Sequence, residues 1–514
     1  MAEANSSLEI VHKSEEIKEI KEIKQSIFET HTDELVIGLC GPIGTDIHFI
    51  AECIERILTD KYGYVCKKIR LSDLIRKYTR DEINLNEETD SRFDIYQKLI
   101  NGGNTLRKKF SNSILAELAI NEIAYYREVS LKGESYESER VCYIVDSIKN
   151  KEELELFRLI YSDIFYFFGV FSSIDLRVTN LEEKGLKTHE IHQLFDRDSG
   201  EEINFGQDVT NTFTESDFFL RVEANSKPAI EPKISRFLNL IFSSDIITPS
   251  EHEIAMYLAA AAAGNSACLS RQVGAAITDS AGEVLSVGWN DVPKFGGSVY
   301  KYDANENPTN DRRCYNHGDG LCFNDREKNI ITKALIDNLI EAGLLDNSQR
   351  EAAGNVVRKS RIKELIEFSR AVHAEMLAII IASQKAGDRV IDGRLYCTTY
   401  PCHNCARHIV AAGIKEIYYI EPYRKSLAIK LHNDSITEDE AKDKLVRILM
   451  FDGVSPRRYL EFFQMAANSR KKDGKKINVM SKTVSPKNTL SLQAIPILEK
   501  KVTQDLKDKK LIDA

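Results

Sequence analysis

The sequence predicts an α/β protein with two domains in tandem. The chain has 514 residues, which is more than one hydrophobic core usually holds. In the first half, short apolar segments alternate with helical patterns, which is typical of a parallel sheet covered on both faces. In the second half, a further alternation of helices and strands carries a histidine, a glutamate and two cysteines in two short motifs.

The composition is that of an ordinary globular protein, with 42% hydrophobic and 29% charged residues. The net charge of -9 disfavours a protein that holds nucleic-acid phosphates through clustered cations. No apolar run approaches the roughly 18 residues that cross a bilayer, so we expect no membrane contact. Residues 1–24 are too charged for a signal peptide, and the ten cysteines then indicate reduced thiols and a cytoplasmic location.

Residues 1–33 are predicted to form a charged N-terminal arm. Ile17, Ile20, Ile23 and Ile27 recur at helical spacing and form one narrow apolar stripe. The stripe either docks on the body or on a partner chain, or belongs to a frayed arm. It is a weak indication of a homo-oligomer.

The domain predicted at 34–245 begins with a strand, a glycine-rich turn and a helix. This order is the layout of a P-loop, in which backbone amides bind phosphate. The candidate nucleotide-binding residues are Gly38, Gly41, Gly44, Thr45 and Asp46, with Asp146 at the end of a later strand. The turn has no lysine, so we expect it to bind a nucleotide, with Mg²⁺, rather than to transfer a phosphoryl group.

The rest of this domain continues the alternation. We predict strands at 141–145 and 163–170, with a helix at 151–161 between them. Polar clusters at 196–198 and 205–209 indicate either a lid or a solvated surface loop. Pro228 and Pro232 are interpreted as a domain boundary, and an amphipathic helix is predicted at 234–243.

Two motifs dominate the domain predicted at 246–467: residues 373–375 (HAE) and 401–405 (PCHNC). His373, Cys402 and Cys405 would supply three ligands to zinc and leave the fourth position to water, as in catalytic zinc sites. Glu375 lies two residues after the histidine, where its carboxylate could move protons. Competing interpretations are a redox cysteine pair, a structural zinc knuckle, and His403 as a ligand.

The flanking elements agree with a zinc site. We predict helices at 371–382 and 405–412 and strands at 394–399 and 416–420. The ligands then lie at two helix N-termini, which favour thiolates.

The order H-x-E and then P-C-x-x-C is typical of zinc-dependent nucleobase deaminases, in which the glutamate is the general acid/base. Residues 270–277 (SRQVGAAI) and 288–290 (GWN) further resemble the first two strands of the deoxycytidylate deaminase family. This resemblance implies that Arg271 lies near the nucleotide, that Asn290 contacts the sugar or base, and that Ala374 presents its backbone to the pyrimidine.

One position departs from the family pattern, because Leu377 stands where the family usually has asparagine.

Two further sites are predicted outside the motifs. Cys314, His317 and Cys322 could hold a second, structural zinc, or they are unpaired loop residues. Residues 421–426 (EPYRKS) could meet phosphates, or they form a surface turn.

Over nearly the whole chain, residues 144–149, 205–208, 421–423 and 455–459 resemble bacterial anti-phage dCTP deaminases. The resemblance implies an N-terminal P-loop kinase-like parallel sheet domain followed by a cytidine-deaminase-like α/β/α domain. It also implies zinc-dependent deamination of free dCTP or dCMP to dUTP or dUMP, which depletes the dCTP pool in antiviral defence. The sequence at 468–514 is lysine-rich and predicts a flexible tail.

Several functional alternatives stay open. A housekeeping dCMP deaminase would carry the same motifs, and so would an enzyme that edits cytosine in RNA or DNA. A nucleotide effector bound at the N-terminal domain, or an inhibitory regulator, would make the protein a sensor whose deaminase site is the output.

Overall fold

The computed structural model describes residues 31–130, 139–198, 206–223, 227–305, 307, 310–423, 426–464, 470–477, 479–487 and 494–513. The chain divides into two compact units. Unit 1 comprises Met1–Thr248 and Leu460–Ala514, and unit 2 comprises Pro249–Tyr459. The isoleucine stripe of the predicted arm lies outside the described residues.

The first segment of unit 1 alternates strands and helices. Its strands are β1 (Leu35–Cys40), β2 (Val65–Arg70), β3 (Val141–Asp146), β4 (Phe165–Ser172) and β5 (Phe218–Val222). Its helices are α1 (Ile47–Tyr62), α2 (Leu71–Thr79), α3 (Arg92–Lys109), α4 (Ile114–Ser130), α5 (Lys151–Tyr161), α6 (Ile174–Glu182), α7 (Thr188–Asp198), α8 (Val209–Phe213) and α9 (Lys227–Ile241). The strand predicted at 141–145 and the helix predicted at 151–161 are confirmed to within one residue, and the strand predicted before the glycine-rich turn is β1.

These five strands run in the order β5-β4-β1-β3-β2, and each neighbouring pair is parallel. The two central strands, β1 and β4, are almost wholly buried, as expected when helices cover both faces of a parallel sheet. The predicted parallel sheet is therefore confirmed. The narrower assignment to P-loop kinase-like domains stays a prediction.

The proposed boundary at Pro228 and Pro232 is wrong, because both residues lie inside α9. Pro228 occupies the first turn, where the missing N–H has no intrahelical partner to lose. Pro232 lies further along the helix, where its ring removes one backbone hydrogen bond but leaves the helix continuous. Unit 1 continues to Thr248.

Unit 2 contains the second sheet. The strands of this sheet are β6 (Gly274–Thr278), β7 (Val284–Trp289), β8 (Arg394–Thr399), β9 (Glu416–Glu421), β10 (Ile436–Thr437) and β11 (Val446–Met450). The unit also contains the short strand β12 (Gly453–Val454), which is not part of this sheet. Its helices are α10 (Glu251–Ala263), α11 (Phe323–Glu341), α12 (Arg350–Lys359), α13 (Ala374–Ala386), α14 (His403–Ala411) and α15 (Ala428–Leu431). The helix α16 (Tyr459–Phe463) follows at the junction of the two units.

The sheet of unit 2 has the order β10-β11-β9-β8-β6-β7. Strands β8 to β11 pair in parallel, whereas β6 pairs antiparallel with β7 and β8. Gly274 packs directly on α10 and Gly288 directly on α13. Gly274 lies opposite Trp289, so Gly288 points to the other face, and the two helices cover opposite faces. The domain thus has three α/β/α layers.

The C-terminal segment of unit 1 contains a small antiparallel hairpin and a helix. These are β13 (Lys471–Lys472), β14 (Lys475–Lys476) and α17 (Ile495–Asp508). The buried carboxylate of Glu499 in α17 accepts a hydrogen bond from Arg127 of α4 at 3.0 Å and another from Tyr161 at 2.9 Å. The prediction of a flexible tail is therefore wrong for residues 494–513. Within the described ranges, no helix has both the length and the apolar character needed to cross a membrane.

Candidate metal centre and active site

Three potential metal ligands converge at the N-termini of α13 and α14. The Nδ1 atom of His373 lies 3.4 Å from Sγ of Cys402 and 3.3 Å from Sγ of Cys405. The three ligand atoms all lie within 4.8 Å of one another. The structure thus brings together the three residues that the sequence analysis selected as zinc ligands.

The chemistry of this donor set fits zinc. An imidazole and two thiols are ligands that zinc prefers, with bonds of about 2.0 Å to nitrogen and about 2.3 Å to sulfur. Around a tetrahedral ion, such bonds separate neighbouring ligand atoms by roughly 3.5 Å. The observed nitrogen–sulfur distances agree with this spacing. His403 is not part of the group, because its ring lies 3.8 Å from the Glu367 carboxylate.

The local structure holds the ligands in place. His373 is the N-cap residue of α13, with extended backbone angles, and its carbonyl accepts the Leu377 N–H at 2.9 Å. Cys402 is the N-cap residue of α14, and its sulfur accepts the Cys405 N–H at 3.5 Å. The positive ends of both helices therefore point toward the thiols, which stabilises thiolate.

Electrostatics separate the roles of the four titratable groups. Hydrogen bonds from Cys405 and His373 outweigh burial and lower the pKa of the Cys402 thiol to about 4. The hydrogen bond to Cys402 raises the pKa of His373 to about 9. Burial raises the pKa of the Glu375 carboxyl, which is 4% exposed. A carboxyl with a raised pKa is suited to exchange protons near neutral pH.

These groups open into a cavity of about 270 Å³ within unit 2. His373, Ala374, Glu375 and Cys402 form part of its wall. A cavity of this size, mostly apolar and with a few convergent polar groups, is typical of a small-molecule site. Of the predicted substrate contacts, Arg271, Asn290 and Ala374 all line it.

Arg271 lies at the cavity wall with half of its side chain exposed. Its guanidinium donates to the Glu421 carboxylate at 2.9 Å and lies 5.7 Å from the centre of the Tyr423 ring. The predicted phosphate-binding segment at 421–426 is therefore close to Arg271, although residues 424 and 425 lie outside the described chain.

The side chain of Asn290 forms hydrogen bonds with the backbone of the preceding segment. Its side-chain oxygen accepts the Val273 N–H at 2.8 Å, and its side-chain nitrogen donates to the Arg271 carbonyl at 2.8 Å. The residue therefore positions the segment that carries Arg271. Its predicted contact with sugar or base stays a prediction.

Leu377, at the position where the family has asparagine, is buried in a cluster with Ala262, Trp289 and Val299. An apolar side chain thus fills this site, and it supplies packing in place of a polar contact.

The second predicted zinc site does not assemble. Within the described ranges, the only three His, Cys, Asp or Glu residues whose ligand atoms approach within 4.8 Å of one another are those of the first site. The His317 ring instead stacks on Phe323, with centroids 5.8 Å apart. The structure therefore lends no support to a second zinc at Cys314, His317 and Cys322, which stays a prediction.

The glycine-rich turn of unit 1 follows β1 as predicted. Gly44 has a φ of +89°, which favours glycine, and a Cβ at Gly41 would lie 2.6 Å from the Val170 carbonyl oxygen. Gly38 lies within β1, and Asp46 is the N-cap residue of α1. Packing thus explains these glycines without a ligand.

Asp146, predicted to help bind a nucleotide, ends β3 and has its carboxylate paired with protein side chains. His48 of α1 contacts the Asp146 carboxylate at 2.6 Å, and Ser147 donates to it at 2.7 Å. Burial raises the pKa of Asp146, but these hydrogen bonds outweigh burial and hold the pKa below its usual value. Within the described residues, no three-ligand group forms here, so Mg²⁺ has no support.

Several cavity residues escaped the sequence analysis, and two of them are polar groups of α11. Lys328 and Asn324 line the cavity from α11, about fifty residues before the zinc motif. Lys328 donates to the Lys363 carbonyl at 2.9 Å, and Asn324 donates to the Leu365 carbonyl at 2.9 Å. No local motif marks them, because their partners at 363 and 365 lie more than thirty residues further along the chain.

Unit 2 thus combines an α/β/α domain with a His-Cys-Cys group and a buried glutamate beside it, an arrangement that fits the class of zinc-dependent deaminases. Comparison with known proteins agrees. Residues 249–421 match the family model described as "Cytidine and deoxycytidylate deaminase zinc-binding region". The match supports assignment of this part of the chain to the deoxycytidylate deaminase family, and with it a deaminase enzyme.

Similar curated proteins include two phage enzymes. Deoxycytidylate deaminase of Enterobacteria phage T2 is 29% identical over 163 residues, which is 31% of this chain and 74% of the relative. The enzyme of Enterobacteria phage T4 is 28% identical over 163 residues, which is 31% of this chain and 72% of the relative. ComE operon protein 2 of Bacillus subtilis (strain 168) is 45% identical over 56 residues, which is 11% of this chain and 29% of the relative.

Solved structures of a cyanophage S-TIM5 dCMP deaminase also match. The apo form shows 17% identity and a TM-score of 0.22, with 40% of this chain and 100% of that chain covered. The complex with dCMP and dUMP shows 18% identity and a TM-score of 0.23, with 40% of this chain and 99% of that chain covered.

Proposed function

We propose that the protein deaminates free deoxycytidine nucleotides, converting dCTP or dCMP to dUTP or dUMP and ammonia in a zinc-dependent reaction. The observation that carries the proposal is the His-Cys-Cys group beside the buried Glu375 in a cavity sized for a small molecule. The net charge of -9 favours a free nucleotide over a nucleic acid polymer.

His373, Cys402 and Cys405 would hold the zinc ion. When bound, zinc lowers the pKa of a water ligand toward neutrality. Glu375 accepts one proton from the attacking water and delivers it to N3 of the cytosine. Glu375 then accepts the second proton, from the new hydroxyl at C4, and delivers it to the amino group, which leaves as ammonia while the C4 carbonyl forms. Its raised pKa supports both steps, because the same carboxyl must gain and release a proton near neutral pH.

Residues of the cavity wall would orient the substrate. Arg271 and Lys328 supply positive charge to the substrate phosphates, since Arg and Lys are the usual partners of phosphate oxygens. The Glu421 carboxylate already contacts Arg271, so a phosphate has to share or displace this contact. Ala374 is fully buried at the first position of α13, and its backbone is proposed to face the pyrimidine.

The biological role is proposed from resemblance. The chain resembles bacterial anti-phage dCTP deaminases over nearly its whole length, and depletion of the dCTP pool would starve phage DNA synthesis. A nucleotide effector, an inhibitory regulator and a homo-oligomeric assembly belong to the same proposal.

The test is an incubation of purified, zinc-loaded protein with equimolar dCTP, dCMP, CTP and a cytosine-containing oligonucleotide, with products separated by chromatography. We expect loss of dCTP or dCMP with a matching gain of dUTP or dUMP. Whichever of dCTP and dCMP is converted faster is the preferred substrate. Conversion of the oligonucleotide alone would replace the proposal with an editing enzyme.

Glu375→Gln tests the acid/base assignment. We expect turnover to fall by a factor of about 10²–10⁴, the usual contribution of general acid–base catalysis, with zinc content unchanged. Glu351→Gln is the matched control, because Glu351 is exposed on α12 and does not line the cavity. Wild-type turnover in Glu375→Gln would exclude the assignment.

A further inference from the structure

The turn after β1 in unit 1 contains a buried carboxylate in an unusual place. One oxygen of Asp198, at the end of α7, accepts the backbone N–H of Ile43 at 2.5 Å. The other oxygen accepts a hydrogen bond from the Lys149 ammonium at 2.5 Å. Asp198 is 1% exposed, and the Lys149 side chain is 15% exposed. A protein carboxylate thus lies between an amide and an ammonium that are both shielded from water.

The surrounding contacts fix this arrangement. Arg177 donates to the Ile43 carbonyl at 2.7 Å, and Asn180 donates to the Gly44 carbonyl at 2.9 Å. The Arg177 guanidinium also stacks 4.1 Å from the ring centre of Phe195 in α7. Helices α6 and α7 therefore hold the turn from its carbonyl side, and only its amide side meets the carboxylate.

Lys149 is equally well anchored. It lies in the loop after β3, where Ile148 donates to the Leu39 carbonyl at 2.9 Å and Asp208 donates to the Lys149 carbonyl at 2.8 Å. Ser147, two residues earlier, has a φ of +70°, a strained value for a residue with a side chain. Backbone hydrogen bonds therefore hold the loop that carries the Lys149 ammonium in one conformation next to the turn.

An amide of a glycine-rich turn and a lysine ammonium are the groups that bind a phosphate oxygen in proteins. The turn itself has no lysine, but Lys149 brings a cation to it from the loop after β3. The anion that these groups bind in the structure is the Asp198 carboxylate. In addition, the buried hydroxyl of Thr45 in the same turn has no hydrogen-bond partner among the described residues.

We propose that the Ile43 amide and the Lys149 ammonium form a phosphate-binding site that Asp198 keeps closed. The ligand class is a small molecule with a terminal phosphate, either a nucleoside polyphosphate or an inorganic polyphosphate. The phosphate takes the place of the carboxylate when Asp198 withdraws. The proposal concerns unit 1 and is independent of the deaminase assignment.

The wild-type site should bind such a ligand weakly. Asp198 is part of the same chain, so its effective concentration at the site is high, and a free phosphate has to compete with it. Removal of the carboxylate charge should reverse this balance, because Lys149 then lies buried without a counter-charge. An external phosphate would restore that charge.

The test uses the full-length protein, with tripolyphosphate and dATP as probes, in thermal unfolding and titration calorimetry. A purine nucleotide avoids the proposed cytosine substrate. We expect Asp198→Asn to unfold at a lower temperature than wild type, to be stabilised by tripolyphosphate, and to bind it at least tenfold more tightly. Equal affinity for both probes identifies the phosphate chain as the ligand, and tighter binding of dATP identifies a nucleotide.

Two controls isolate the site. Glu499→Gln also removes a buried carboxylate from its cation, Arg127, but far along the chain from the turn, so tripolyphosphate should not rescue its stability. The double variant Asp198→Asn, Lys149→Met should lose the tight binding, because the cation is gone.

Three results would overturn the proposal: equal tripolyphosphate affinity in wild type and Asp198→Asn, equal rescue of Glu499→Gln, or tight binding without Lys149. If Asp198→Asn does not fold, wild type is compared with Lys149→Gln. Millimolar tripolyphosphate should then stabilise wild type and not the variant, and an equal response of the two would reject the site.

Discussion

At the scale of single residues, the Asn290 amide joins two strands of the candidate site. The backbone carbonyl of the same residue accepts a hydrogen bond from the Ser266 hydroxyl at 2.6 Å. Together with the side-chain contacts to Arg271 and Val273, this makes Asn290 the point where the segment at 266–273 is fixed to β7. A residue in this position affects substrate binding through Arg271, even without touching the substrate.

We expect Asn290→Ala to lower the free energy of unfolding by about 1–3 kcal/mol, because it leaves the Val273 N–H and the Arg271 carbonyl without their hydrogen-bond partner beside the buried Asn290 position. The KM for the nucleotide should rise as Arg271 loses its support. Urea unfolding followed by tryptophan fluorescence, together with steady-state kinetics, measures both effects.

Asn290→Asp is the informative comparison, because it keeps an acceptor for Val273 but has no donor for Arg271. We expect its stability to lie between those of wild type and Asn290→Ala. If Asn290→Ala kept wild-type stability and changed KM alone, Asn290 would be a direct substrate contact and not a positioning residue.

At the scale of elements, close backbone packing places helix α13 on the sheet. A Cβ at Gly288 of β7 would lie 2.5 Å from the Ala374 oxygen and 2.5 Å from the Ala378 nitrogen of α13. No side chain fits there, so the strand and the helix touch directly. The start of α13, with His373 and Glu375, is thereby fixed against the sheet.

Gly288→Ala should therefore push α13 away from β7. We expect a loss of about 1–3 kcal/mol of unfolding free energy, the usual cost of overpacking, with reduced zinc content and turnover. Gly354→Ala is the matched control, because Gly354 of α12 is also buried, yet its new Cβ would meet only the flexible Arg358 side chain at 3.8 Å. It should stabilise the protein by roughly 0.5–1 kcal/mol. Equal stability of the two variants would contradict the packing argument.

The elements around the zinc motif were predictable from sequence, because their patterns are local. Strand β8 has the predicted bounds 394–399, and α13 and α14 begin within three residues of their predicted starts. The difference at α13 arises at its cap, because His373 has extended backbone and lies just outside the helix. Helix α14 begins two residues earlier than predicted, directly after its cap residue Cys402.

The elements that escaped prediction depend on distant partners. Helix α17 is lysine-rich, and its buried face includes Glu499, which no single-sequence pattern marks as internal. The carboxylate is buried because Arg127 pairs with it from 372 positions away in the chain. In the same way, Asp198 was predicted on a lid or a solvated loop, and only the fold brings it to Ile43 and Lys149.

At the scale of the whole molecule, the chain forms two compact units that each contain their own sheet. The proposed chemistry lies in unit 2 and the proposed phosphate site in unit 1. A measurement that reports one unit alone is therefore valuable. The single tryptophan of the chain, Trp289, supplies it, because it lies in unit 2 and packs in the cluster that includes Leu377 of α13.

Removal of zinc should lower the midpoint temperature of unfolding of unit 2, measured by the fluorescence of Trp289. A ligand present at about a thousand times its Kd stabilises the folded state by about 4 kcal/mol, and each kcal/mol shifts the midpoint of a domain of this size by roughly 2–4 °C. Chelation with dipicolinate should thus lower the Trp289 midpoint by about 10 °C, and added zinc should restore it. Cys405→Ser, which lacks one ligand, should start near the lower midpoint and respond little to the chelator. A metal-free protein with an unchanged midpoint would show that His373, Cys402 and Cys405 do not hold a metal that stabilises the fold.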